Sequence, residues 1–274
     1  MPALPWPAMH RTAASRLTVA AAAIAAAVAT GALLLAPATP ADGARPNHQP
    51  VPILMYHAIR TAPADARHPR LWVRPREFAA HVAALRRAGY RAVTLQRVWD
   101  AWRGKARLPR RPVVFSFDDG YASQARIALP VLRRAGWPGV LNLTLSHLDG
   151  LGGETAVRRL IRAGWQIDAH TRTHPDLTVL SDARLRDEVA GARAELRARF
   201  GVAANFFCYP AGRYDARVVA AVRRAGFLGA TTTRSRFATP GAPYALARVQ
   251  VDSGLGGEGL LRRLRKLRSR TATR

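Results

Sequence analysis

The chain has 274 residues, 49% of them apolar, and carries Lys+Arg 43 against Asp+Glu 17, a formal net charge of +26. That length and apolar content allow one sizeable domain with its own core and exclude a disordered chain. The single cysteine, Cys208, excludes an intrachain disulfide and reads as a small core residue.

The arginines are spread over every expected helix, so most of the charge reads as compositional habit. Surface aromatics do not interleave with them as a nucleic-acid surface requires. At the N-terminus, Arg11 and Arg16 precede an uncharged run from Leu17 to Ala36, followed by "APA" at 36–38 and "TPA" at 39–41. Segment 1–38 is expected to be a signal peptide or an uncleaved membrane anchor. Either places the rest outside the cytoplasm, in the periplasm, on the cell surface or in the medium. No cysteine lies near the cleavage sites, which argues against a lipid anchor. Residues 39–50, "TPADGARPNHQP", read as a linker, and 51–274 as one folded domain.

Within the domain, short β-type runs alternate with helical patterns. The runs are "PILMY", "RAVTL", "VVFSF", "GVLNLTL", "QIDA", "NFFCY", "GATTT" and "ARVQV". The clearest helix covers 182–200, with Ser181 as its N-cap. "RRAGY", "RRAGW", "RAGW" and "RRAGF" recur at helix-to-strand joints, with arginines in the last turn and glycine at the left-handed C′ position. Strict alternation predicts a parallel sheet with crossover helices. Seven or eight such units predict a closed (β/α) barrel.

Reactive residues of such a barrel gather at the C-terminal ends of its strands. His57 follows "PILMY", Asp118 and Asp119 follow "VVFSF", and His170 and His174 follow "QIDA" in "HTRTH". "YPAG", Tyr209 to Gly212, follows "NFFC". Each alone has an ordinary explanation as a turn or a rim hydrogen bond. Pro175 argues against reading the two histidines as one helix face. Four such ends on one rim point to a site.

These motifs resemble the polysaccharide deacetylase family with the NodB-homology domain, carbohydrate esterase family four. "SFDDGY" at 116–121 is similar to its TFDDG motif and "HTRTHPDL" at 170–177 to its His-(Ser/Thr)-x-x-His motif. "PILMYHAI", "FAAHVAALRRAGYRAVTL" and "FCYPAGRYD" are similar to the branch of poly-N-acetylglucosamine deacetylases. The resemblance covers about residues 51–235 and implies a distorted (β/α) barrel. It also implies one divalent metal on Asp119, His170 and His174, with Asp118 as general base. The ligand chemistry suits zinc with an open position, and iron, cobalt or nickel as well. By the same carry-over, the Ala211 amide serves the oxyanion. Ala211 stands where relatives have tyrosine, and Cys208 where many have a base-orienting arginine. The general acid that many relatives take from a late histidine is absent, since no histidine follows His174. The resemblance moves that role to His57, with His147 in "LSHLDG" as the alternative.

The function this implies is removal of N-acetyl groups from an N-acetylhexosamine polysaccharide, poly-N-acetylglucosamine foremost, outside the cytoplasm. Peptidoglycan or chitooligosaccharide deacetylation is an alternative, as is a sugar-binding relative without turnover. No nucleic acid is expected. In the C-terminal stretch, Leu260, Leu261, Leu264 and Leu267 recur at helical spacing among arginines. This helix is expected either to pack its leucines on the barrel or to meet an anionic membrane or polymer.

Overall fold

The computed structural model describes residues 46–272. Segment 1–38 and most of 39–50 lie outside the described residues. Among the described residues, no helix is long and apolar enough to cross a membrane.

Strands β1 (Ile53–Tyr56), β3 (Pro112–Asp119), β4 (Val140–Leu143), β5 (Gln166–Ala169), β6 (Phe206–Cys208), β7 (Gly229–Ser235) and β8 (Leu246–Gln250) pair in parallel around a ring, which β3 closes by pairing with β1. The short β2 (Arg91–Ala92) adds to the outer edge of β3. The seven-or-eight expectation thus resolves as seven strands in the closed barrel and one outside it. "RAVTL" forms less strand than its composition suggests, because Thr94 caps helix α2 (Leu95–Trp102) by accepting the Arg97 amide.

The helices follow their end signals. Helix α1 (Pro75–Arg87) begins with Pro75 at its first position and ends in Arg86 and Arg87 before Gly89, whose φ is +79°. Helices α3 (Leu129–Arg134), α4 (Leu148–Leu151), α5 (Gly153–Arg162) and α8 (Ala216–Arg224) fill other crossovers. The helix expected over 182–200 is α6 (Asp182–Arg186) and α7 (Ala192–Phe200), joined by a π turn over Asp187–Gly191, with Ser181 capping as expected.

Two-residue alternation sorts the barrel's side chains. Along β3, Phe115 and Phe117 face Phe78 of α1, at ring distances of 6.2 and 5.8 Å. Ser116 and Asp118 face inward, where the Arg248 guanidinium reaches both. At the strand starts, Ile53, Val114, Val140, Phe206 and Leu246 join one buried apolar cluster with α2 residues Val98 and Trp102. β5 and β6 share one register pair, Ala169 with Phe207, and the Phe206 amide donates instead to Asp168 Oδ1 at 3.1 Å.

The last helix, α9 (Gly256–Ala272), belongs to the domain. Leu260, Leu264 and Leu267 are buried in the main core, and Leu261 packs beside them. A Cβ on Gly257 would meet Ala80 O and Ala84 Cβ of α1 at 2.8 Å each, so glycine permits this close crossing. Glu77 of α1 accepts the Gly256 amide at 3.2 Å, capping α9 from another helix. Leucine packing on the barrel is therefore what the helix does.

Candidate active site

The strand ends carrying the predicted residues open into one cavity of about 770 Å³. His57, Asp118, Asp119, His170, His174 and Ala211 all line it. His147 is exposed on the turn after β4 and is not among the lining residues.

The two adjacent aspartates are separated by a sharp turn. The Gly120 amide donates to Asp118 O at 3.1 Å, closing a three-residue turn about Asp119, whose φ is +77°. This is the strained form of γ-turn, and strain of this kind is held where the surrounding structure fixes it. Asp118 remains in the barrel interior. Asp119 turns to the histidines, with its Oδ1 at 3.5 Å from His170 Nε2 and 3.6 Å from His174 Nε2.

The loop "HTRTH" is held from beneath. Thr171 and His174 both have positive φ, +69° and +63°. The amides of Arg172 and Thr173 donate to Glu188 Oε2 at 2.8 and 2.9 Å, and the Thr173 hydroxyl donates to Oε1 at 2.6 Å. Glu188 is buried and comes from the π turn between α6 and α7, a wound feature common at functional sites. The Thr171 hydroxyl accepts the His174 amide at 2.8 Å. His170 Nδ1 donates to Cys208 O at 2.7 Å, which fixes the tautomer and leaves Nε2 as the acceptor nitrogen.

Two residue groups have the composition and proximity to hold a metal ion, Asp118–His170–Cys208 and Asp119–His170–His174. The first is already satisfied internally. Both Asp118 oxygens are engaged by Arg248, and the adjacent guanidinium opposes a cation. The second offers one carboxylate and two imidazole nitrogens aimed at a common point on the cavity wall. It fits a divalent ion with an open position, and it is the set expected from the sequence.

Asp118 is held by groups that sequence reading missed. Arg248 of β8 donates from both terminal nitrogens, 2.7 Å to Oδ1 and 2.8 Å to Oδ2, and Asn142 of β4 donates to Oδ1 at 2.7 Å. Arg248 is 1% exposed, and its Nε donates to Thr232 O at 2.9 Å. Burial alone would raise the Asp118 carboxyl, but the Arg248 charge and then His57 outweigh it and hold the group well below the usual carboxylate range. An arginine inside the strand-like run "ARVQV", and an asparagine inside "VLNL", were the available signals. A polar residue placed inward on a barrel strand needs a buried partner. Cys208, at the position where many relatives carry an arginine, lies with Sγ 3.7 Å from Asp118 Oδ2. Here the guanidinium comes from β8 instead.

His57 Nε2 lies 3.8 Å from Asp118 Oδ2. Burial pushes the His57 imidazole below its ordinary value, with Asp118 and Asp119 opposing the shift. Tyr121 shares the wall beside Asp119. Burial, then the Asp119 charge, pushes its hydroxyl up to about 12, so it stays a donor. Its ring tilts against Trp72 at 5.7 Å, and both half-buried rings line the cavity. Ala211 sits in the turn Pro210–Gly212 with φ +51°. The flanking amides of Gly212 and Arg213 donate to Tyr209 O and Pro210 O.

Residues 105–230 match the family profile described as polysaccharide deacetylase. The Bacillus subtilis protein YxkH, named after the same family, is 28% identical over 211 residues, 76% of this chain and 73% of its own length. The Escherichia coli poly-beta-1,6-N-acetyl-D-glucosamine N-deacetylase is 33% identical over 119 residues, 41% of this chain but 17% of that protein. Among solved structures, the Streptococcus pyogenes deacetylase PplD in complex with acetate superposes with a TM-score of 0.72 at 22% identity, covering 80% of this chain and 99% of that one. Motifs and comparisons agree that residues 105–230 carry a polysaccharide deacetylase domain, a hydrolase unit of the kind that acts on amide bonds.

Proposed function

We propose that the protein is a metal-dependent N-deacetylase of an N-acetylhexosamine polysaccharide, with poly-N-acetylglucosamine as its substrate, working outside the cytoplasm. The observation that carries this reading is the single cavity that gathers Asp118, Asp119, His170, His174, His57 and Ala211. Asp119, His170 and His174 would hold the ion, which supplies a Lewis acid and a more acidic water.

The remaining work falls to the chain's own groups. Asp118, ionised and aimed by the Arg248 fork, accepts the proton of the attacking water. The new bond joins that water's oxygen to the acetamide carbonyl carbon. The Ala211 N–H donates to the oxygen on which negative charge develops. His57 delivers a proton from Nε2 to the nitrogen as the carbon–nitrogen bond breaks, releasing acetate and leaving an amine. His57 and Asp118 face each other across 3.8 Å, a distance that lets them share one reacting centre.

The similarity to the Escherichia coli N-deacetylase, which spans 17% of that protein, supports the choice of polymer. The uncharged run from Leu17 to Ala36 supports export. Acetate release is the test. The purified chain, stripped and then reloaded with zinc, iron, cobalt or nickel, is incubated with poly-β-1,6-N-acetylglucosamine, chitin oligomers and peptidoglycan. Release from the first, dependent on metal, is expected. No acetate from any polymer with any metal would leave a sugar-binding relative as the better reading. Release from peptidoglycan or chitin oligomers alone would change the substrate.

A further inference from the structure

The catalytic cavity does not end at its own rim. Arg70 and Gln250 line it and also line a second cavity of about 390 Å³, with Ser235, Asp252, Arg263, Lys266 and Arg270. Ser235 and Arg270 continue into a third, of about 720 Å³, with Arg234 and Arg236. Shared walls make these one track leading from the reacting centre along β7, β8 and α9.

The lining of this track is predominantly cationic. On α5–α8 and the nearby loops several arginines are matched. Arg158 and Arg199 meet Glu154, Arg172 meets Asp187 and Glu195, Arg213 meets Asp176, and Arg217 meets Asp182. In the track, Asp252 is the one carboxylate of the lining, and Arg263 already neutralises it at 3.0 Å. Among the described residues, no ion pair is formed by Arg70, Arg234, Arg236, Lys266 or Arg270, although Arg234 stacks over Tyr214. All five are exposed. Lys266 and Arg270 of α9 stand exposed in this track, away from the helix's buried leucines.

We propose that this track is a binding groove for an anionic stretch of polysaccharide. Carboxylates or phosphates on sugars flanking the reacting N-acetyl group would lie along it. Arginine matches both anions with paired donors, and a channel of one sign concentrates its ligand. The same charge disfavours stretches already converted to protonated amines. The proposal rests on the deacetylase reading and narrows its substrate.

The test separates the two. Binding of the full chain is measured by fluorescence anisotropy with labelled N-acetylglucosamine oligomers of equal length, either unmodified, carboxymethylated or phosphorylated. Acetate release is followed in parallel. At low salt an anionic oligomer is expected to bind about tenfold more tightly than the neutral one, a preference lost near 1 M salt, where the screening length falls to about 3 Å. Lys266→Glu/Arg270→Glu should abolish the preference and leave neutral-oligomer turnover unchanged. Lys266→Gln/Arg270→Gln, with a melting curve matching the parent, should weaken the preference without refolding concerns. Tighter binding of either anionic oligomer supports the groove, and the two arms tell carboxylate from phosphate. Equal binding of all three, or an unchanged preference in the variants, overturns it. Acetate release without an anionic preference would reject the groove and keep the deacetylase. Anionic preference without acetate from any polymer would do the reverse.

Discussion

Arg248 and Asp118 stand 130 residues apart in sequence and meet in the barrel interior through two parallel hydrogen bonds of 2.7 and 2.8 Å. Both side chains are buried, and each is the other's neutralising charge. Removing one partner strands the other. Arg248→Met is therefore expected to destabilise the fold by about 3–5 kcal/mol. Asp118→Asn/Arg248→Met should recover part of that loss in a thermal melt. Arg248→Lys keeps the charge but not the fork, and should lower kcat far more than it raises KM.

His170→Ala and His174→Ala should each lose bound metal, read by elemental analysis after dialysis, and with it nearly all turnover. Asp118→Asn should retain metal and lose turnover. Full metal stoichiometry in both histidine variants would remove the ligand assignment.

The two histidine candidates for the acid are distinguishable by position. His57 lines the cavity and His147 does not. His57→Ala should bind metal normally, lower kcat by about 10²–10⁴-fold, and flatten the alkaline limb of the rate profile. His147→Ala should stay near parental activity. The opposite pattern would transfer the role to His147.

Away from the site, buried His81 accepts or donates at Nδ1 with Tyr56 Oη across 3.1 Å, and burial lowers its pKa to about 4 despite Glu77 nearby. The unfolded imidazole titrates near 6.5, so the unfolded chain binds the proton first as pH falls. Stability from neutral His81 is complete above about 6.5 and is lost as pH falls through about 4, a loss of roughly 3 kcal/mol. Melting curves of His81→Gln should show a weaker dependence on pH over that window. An unchanged dependence would mean that another group drives acid unfolding.

The barrel was legible because its joints repeat. Arginines, glycine and an aromatic mark four of the helix-to-strand passages, and "FSFDDGY" and "HTRTH" fall at strand ends where a barrel displays them. Less legible were the groups that act through distance. Arg248 is one arginine among many in a composition that hides it, and only closure of the ring through β1 brings β8 within reach of β3. Glu188 sits in a helix of ordinary polar pattern. Its value comes from the π turn, which local sequence does not announce. The C-terminal helix illustrates the converse. Its leucine spacing fitted both a packed and a surface-bound helix, and the decision lay in Gly257 and Ala84 on separate segments.

The sparse pairing of β5 with β6 makes that junction the seam of the hoop. One ladder pair joins the strands, and two side-chain stitches do the rest, Asp168 to the Phe206 amide and His170 to Cys208 O. Burial raises Asp168 to about 7, above its unfolded value, so the stability it lends is complete in acid and drains away as pH climbs through about 7. His170 follows one edge of the seam and Ala211 the other. The spacing between proposed metal ligand and oxyanion donor is consequently set where the ring holds its fewest backbone ladder pairs.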